Sequence, residues 1–358
     1  MDERRMRVLH VVKGLGLGGT EKVMQLFVQH LDPARFEAAV YSPTDGERRP
    51  LLARAGIPVF VGPDLLAVLA RFRPHLVHLH RAGWPEPETL RPLKLSRVPA
   101  VVETNVFGRH DASPQAGIID RHLFVSDFCA RRFTRTTGIP FELPGYQVLP
   151  NPVDTDFLAA HSPRERDFSR PVFGRVSRAD PGKWSPLAFE MLPHLVRRLP
   201  GARYRVAGMI PEAREFFRAR GLADHVEEVP PIPDEEGLAA FLAPLSALAH
   251  ANDTGESFGL AIAEAMAAGL PVVTHPCPGQ RDNAQLDLVE HGATGLHAGT
   301  AEEYAGALAW LAENPDQARD MGRRGRDKVA RLCRAQDVAA RLGDIYRDVL
   351  ARKGVALS

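Results

Sequence analysis

Short runs of β-branched and other apolar residues recur along the chain, and between them apolar positions fall at helical spacing. In the first half the runs are Arg7–Val12, Ala38–Tyr41, Val59–Val61, Leu76–His80, Ala100–Glu103 and His122–Val125. Segments such as Thr20–Leu31 and Pro50–Ala55 carry the period of amphipathic helices. This alternation predicts a parallel sheet wrapped by helices. After Q-V-L-P-N-P-V-D at Gln147–Asp154 a polar stretch, H-S-P-R-E-R-D-F-S-R-P, reads as a connection. The pattern then restarts, with strands expected at Val172–Val176, Arg203–Ala207, His225–Val229, Ala247–His250 and Pro271–Thr274. Helices are expected at Pro186–Leu199, Glu212–Arg220, Gly237–Leu242 and Gly259–Ala268, and almost throughout Ala301–Lys353. The expected fold class is α/β, with two consecutive Rossmann-like units and a ligand in a cleft between them.

Composition narrows the class without naming it. The chain has 358 residues, 44% hydrophobic and 25% charged, with a formal net charge of +1. Such a balance excludes a disordered or fibrous chain and gives no reason to expect nucleic acid as a partner. Cys129, Cys277 and Cys333 are far apart and form no metal-type cluster, which suits a reducing compartment. The start, M-D-E-R-R-M-R-V-L-H-V-V-K-G, lacks the long apolar core of a signal peptide. No stretch approaches the ~20 apolar residues of a membrane span. A cytoplasmic protein is expected.

Two stretches carry chemistry. K-G-L-G-L-G-G-T-E at Lys13–Glu21 follows the first strand, and Gly14, Gly16 and Gly19 satisfy G-x-G-x-x-G. Glycines there let the backbone approach a phosphate above a helix N-terminus. A tight turn with close helix packing explains them equally well. A nicotinamide cofactor is a weaker alternative, because the second strand ends Val40–Pro43 and Asp45 comes late for a ribose.

The second stretch is T-G-E-S-F-G-L-A-I-A-E-A-M-A-A-G-L-P-V-V at Thr254–Val273. Glu256 precedes a helix of small residues and Glu264 lies within it, with seven residues between. Glu256 could serve only as a first-turn acid favourable to the helix dipole. A carboxylate at Glu264 must be paired or serve a ligand, because burying it alone is costly. The amides of Ser257, Phe258, Gly259 and Leu260 suit an anion or hydroxyls above the helix.

In their order, these motifs resemble those of the retaining GT-B glycosyltransferases of family 4. G-G-T-E at Gly18–Glu21 is similar to that family's glycine turn, and N-P-V-D at Asn151–Asp154 to the N-G-V-D opening its second domain. G-R-V-S-R-A-D-P-G-K at Gly174–Lys183 resembles the strand bearing its basic pair. Glu256 to Glu264 matches E-x7-E, and H-G-A-T-G at His291–Gly295 matches a late turn. The resemblance implies a GT-B architecture, with an acceptor-side domain at 1–165 and a donor domain at 166–335. It also implies that the segment 336–358 returns to the first domain. Arg178 and Lys183 would clamp the donor diphosphate, Glu256 would contact the donor sugar and Glu264 the ribose. Gly18 and Gly19 would approach the diphosphate, and the Ser257–Leu260 amides would hold hydroxyls or phosphate. Implied partners are a nucleotide-sugar donor and a glycan, lipid-linked or small-molecule acceptor, with neither cofactor nor metal.

Some features depart from that pattern. Many relatives carry a histidine just after the strand at Ala100–Glu103, where Asn105 stands here, with His110 further along the loop. His78 and His80 share a face at the end of another strand; lining the site is the leading role for His80, over a metal pair lacking a third ligand. D-T-D at Asp154–Asp156 reads as a helix cap rather than a metal motif. Arg131, Arg132 and Arg135 with Phe128 and Phe133 read as a solvated helix, or alternatively as a peripheral contact for an anionic membrane.

Overall fold

The computed structural model describes residues 5–355; the charged leading residues Met1–Arg4 and the last three residues of the C-terminal segment lie outside the described residues. The chain forms two units. One runs to Pro152 and takes in the chain from Ala335 onward; the other is Val153–Arg334.

In the first unit seven strands, β1 (Met6–Val11), β2 (Phe36–Ser42), β3 (Val59–Val61), β4 (Leu76–Arg81), β5 (Ala100–Asn105), β6 (Arg121–Phe124) and β7 (Tyr146–Val148), lie in the order β3-β2-β1-β4-β5-β6-β7. Every pairing is parallel. All six residues of β4 and of β5 are buried, as expected of strands covered on both faces. Helix Gly19–His30 covers one face with Val23, Met24, Leu26, Phe27 and Val28. The last helix, Ala335–Arg352, packs beside it and against β5. Its buried Val338, Leu342, Ile345, Tyr346 and Val349 recur at helical spacing. Arg121 to Asp348 (2.7 Å) and Lys353 to Asp120 (2.9 Å) fasten its outer side.

The second unit contains β8 (Val172–Val176), β9 (Arg203–Ala207), β10 (Val226–Val229), β11 (Ala247–Ala249), β12 (Gly255–Glu256), β13 (Val272–Thr274), β14 (Asp282–Asn283) and β15 (Gly295–His297). Six form a parallel sheet in the order β10-β9-β8-β11-β13-β15, while β12 and β14 pair separately. Its core joins Phe173, Tyr204, Leu195, Phe217, Tyr304 and Leu308. The unit begins at Val153, earlier than the sequence boundary at 165. Helix Thr155–Ala160 packs against helices Leu260–Ala267 and Pro315–Cys333, and Asp156 pairs with Arg334 at 2.7 Å. Asp154 caps that helix, its carboxylate accepting from the Phe157 amide at 3.1 Å.

Candidate functional site

In the second sheet the chain runs from β8 outward to β9 and β10, then crosses back to β11 and builds the other side. Strand order therefore reverses between β8 and β11, and in a parallel sheet the C-terminal ends of the strands at such a reversal are where ligands bind. After β8 comes the turn Pro181–Lys183, whose Gly182 amide donates to Asp180 at 2.9 Å. After β11 comes the segment reaching Glu256. The two are tied together, since the amide and hydroxyl of Thr254 donate to the Gly182 carbonyl at 3.2 and 3.1 Å.

Beneath them lies Arg175, fully buried in β8. Its guanidinium donates to the Lys183 carbonyl and, at 3.0 Å, to the Asn252 side chain, and it stacks 4.3 Å from the Trp184 ring centroid. A buried cation thus fixes both loops by their backbones and amides.

These supports bring Lys183 and Glu256 together. Lys183 Nζ donates to Glu256 Oε1 at 3.3 Å, and His250 Nε2 lies 3.2 Å from the same oxygen. Asn252 Nδ2 also donates to it. Burial works against the charge of Glu256, but Lys183 and His250 outweigh it and bring the carboxyl down to about 2. Burial keeps His250 below the usual imidazole range despite Glu256, so a neutral ring donates its Nε2–H to the carboxylate. The other end of Glu256 is held through its amide, which donates to Gln285 Oε1 at 3.1 Å. Gly255 makes the β12–β14 approach possible, having φ +69° and only 1.7 Å between an added Cβ and the Asp282 carbonyl oxygen.

Ser257, Phe258 and Gly259 lead from Glu256 into helix Leu260–Ala267, with Gly259 at φ +99°. Ser257 Oγ donates to Asp282, and Phe258 is buried. Glu264 is buried within this helix. Burial, and then the Glu264 carboxylate, push the Cys333 thiol up to about 12. Arg178 stands apart from the Lys183–Glu256 pair, exposed and 3.7 Å from Asp180.

In the first sheet the order reverses between β1 and β4. Gly18 caps helix Gly19–His30 there, and an added Cβ would lie 2.1 Å from Glu21 Oε2. A small pocket at this reversal is lined by Lys13, Pro43, Leu79, His80, Arg81 and Glu86. The side-chain amide of Asn105 bonds the Arg109 backbone twice, at 2.8 and 3.1 Å, and closes its own loop. His110 is exposed and meets Phe133 edge-on.

His10, His78 and His80, whose ligand-capable nitrogens lie within 4.8 Å of one another, are the three-residue group of metal-binding type among the described residues. Register brings His10 into the group, since β1 pairs with β4 at His10 and His78. The rings of His78 and His80 are stacked at 4.4 Å rather than converging. Both nitrogens of His78 are engaged, Nδ1 with the Tyr346 hydroxyl at 2.5 Å and Nε2 with Thr104 Oγ1 at 2.8 Å. The group is built as a hydrogen-bonded chain, which the sequence could not show without the strand register.

Residues 160–328, which include the Lys183–Glu256 site, match the family model described as glycosyl transferases group 1. That match takes in just under half of the chain. A GDP-mannose-dependent α-(1-6)-phosphatidylinositol monomannoside mannosyltransferase of Mycobacterium tuberculosis is 30% identical over 241 residues, covering 63% of this chain and 60% of that one. The N-acetyl-α-D-glucosaminyl L-malate synthase of Bacillus anthracis is 34% identical over 97 residues, 26% of this chain and 24% of that one. The chain thus spans about three fifths of the length of the curated relative it matches over the longer stretch.

Among solved structures, Anabaena HepE in complex with UDP and glucose superposes with a TM-score of 0.78 at 18% identity, covering 96% of this chain and 100% of that one. A sucrose-phosphate synthase of Thermosynechococcus elongatus gives 0.71 at 18% identity over 97% and 100%. The chain therefore has the α/β GT-B architecture. Among its described residues no helix is long and apolar enough to cross a membrane.

Proposed function

We propose that the chain transfers a glycosyl group from a nucleoside-diphosphate sugar to an acceptor hydroxyl with retention of anomeric configuration. The observation that carries this reading is the pairing of Lys183 with an ionised Glu256 at the strand reversal of the second unit. A cation there would meet the charge that grows on the departing diphosphate, with Arg178 swinging in from the exposed loop. Glu256 would accept a hydrogen bond from a sugar hydroxyl and stabilise positive charge developing at the anomeric carbon. The Ser257–Leu260 amides, at the positive end of their helix, would bind phosphate or hydroxyls. Glu264, a buried carboxylate on a helix of small residues, would take the ribose hydroxyls.

In the proposed step the bond from the anomeric carbon to the diphosphate oxygen breaks. The acceptor oxygen bonds that carbon from the same face, and its proton passes to the leaving diphosphate. Neither a protein nucleophile, a cofactor nor a metal takes part in this scheme. GDP-mannose and UDP-glucose are the first donors to try, given the mannosyltransferase relative and the UDP-bound structural neighbour. The acceptor would be a glycan, a lipid-linked sugar or a small molecule, presented in the cytoplasm or at its membrane surface.

The test follows the anomeric proton of the product by NMR, starting from an α-linked donor. An α-linked product is expected. A β-linked product would overturn retention, and donor binding without product on any acceptor would leave a nucleotide-sugar-binding protein.

A further inference from the structure

Five side chains of the first unit form a continuous hydrogen-bonded chain that ends at the pocket beside β1 and β4. His80 Nε2 lies 3.0 Å from His10 Nδ1, and His10 Nε2 lies 3.3 Å from the Tyr346 hydroxyl. That hydroxyl lies 2.5 Å from His78 Nδ1, and His78 Nε2 lies 2.8 Å from Thr104 Oγ1. All three rings are buried, and burial pulls His80 down to about 3, so each ring is neutral with a single N–H. Tyr346 has one hydrogen for two imidazole nitrogens, so it donates to one and accepts from the other.

That constraint leaves two arrangements of the whole chain. In the first, His80 Nε2–H donates to His10, His10 Nε2–H to Tyr346, Tyr346 to His78 Nδ1, and His78 Nε2–H to Thr104. In the second every bond is reversed. His80 Nδ1 is buried without a partner, so the second arrangement would leave an orphaned N–H there, while the first leaves only a bare lone pair. Orphaned buried N–H groups are the rarer and costlier of the two. The pocket also contains Lys13 and Arg81, and Arg81 has a guanidinium nitrogen without a partner. Cations on the wall favour a bare nitrogen over an N–H. The first arrangement is therefore selected.

We propose that Tyr346 is a positioning residue, acting through His10 to hold His80 as the tautomer whose bare Nδ1 accepts a hydroxyl hydrogen from a ligand in this pocket. A polyhydroxylated ligand fits these walls: Nδ1 accepts, Arg81 donates, and Lys13 and Glu86, an ion pair at 3.2 Å, can exchange partners with hydroxyls. His80 orients such a hydroxyl without keeping its proton. Taking that hydroxyl to be the acceptor's rests on the transfer reading above; the tautomer does not.

The test is long-range nitrogen–proton NMR on histidine-labelled protein, wild type first, then Tyr346→Phe and Thr104→Val. The wild type is expected to show His80 with Nε2 protonated and Nδ1 bare. Tyr346→Phe is expected to mix its tautomers and raise the acceptor KM about fivefold with the donor KM unchanged. Thr104→Val, which removes only the far end of the chain, is expected to shift the tautomers in the same direction by less. A protonated Nδ1 in the wild type, or a His80 tautomer indifferent to both substitutions, overturns the proposal. A wild type that transfers to no acceptor while showing the expected tautomers contradicts the transfer reading instead.

Discussion

Lys183 and Glu256 stand 73 residues apart in the chain and hold their charged atoms 3.3 Å apart at the strand reversal of the second unit. Three neutral or cationic donors converge on one oxygen of Glu256, from Lys183, His250 and Asn252. A carboxylate so supported keeps its charge while largely removed from water. Such a fixed charge is what a reaction developing positive charge at carbon requires.

Glu256→Gln keeps the shape and removes the charge. The expected result is a loss of about a hundredfold or more in kcat, with donor affinity changed only a few-fold. Steady-state kinetics beside calorimetric titration with the donor separates the two. Equal loss in both would assign Glu256 to ground-state binding.

The acid sensitivity of the fold follows from the same residue. The folded carboxyl sits at about 2, below its ordinary value of 4.5. Its stabilising contribution, on the order of 3 kcal/mol, is fully present above the ordinary value and is lost as pH falls through about 2. Thermal midpoints measured between pH 6 and pH 2 should fall more steeply for wild type than for Glu256→Gln. Parallel curves would show that Glu256 titrates alike in both states.

Gly255→Ala should cost about 2 kcal/mol or more, because φ +69° is strained for alanine and the new Cβ would meet the Asp282 carbonyl. Urea denaturation of the whole chain measures it. The substitution should also weaken donor binding, since β12 carries Glu256. A variant as stable as wild type would mean that the β12–β14 pairing yields locally.

Much of the sheet architecture was legible because the strands are short runs rich in β-branched and other apolar residues, set off from the helical segments between them. Val59–Val61, Val172–Val176 and Arg203–Ala207 were bounded as the structure has them. Strands β12 and β14 were not, since Gly255–Glu256 and Asp282–Asn283 are two residues each and carry no period. Lys183 and Glu256 were visible as members of short local motifs. Arg175, His250 and Asn252 were not, because each is defined by a crossover that brings the ends of β8 and β11 side by side. His80 was visible as a strand-end histidine, but its partner His10 came from register and Tyr346 from a helix 336 residues away from His10 in the chain. Asn105, placed on the acceptor side by analogy, spends its amide on its own loop.

Calorimetric titration of wild type and Lys183→Ala with UDP, GDP and NAD tests the central claim most directly. One nucleoside diphosphate should bind the wild type, and Lys183→Ala should weaken it about tenfold to a hundredfold, the worth of a charge-assisted hydrogen bond. No binding of either diphosphate, binding indifferent to Lys183, or binding of NAD alone would contradict the assignment of the donor site.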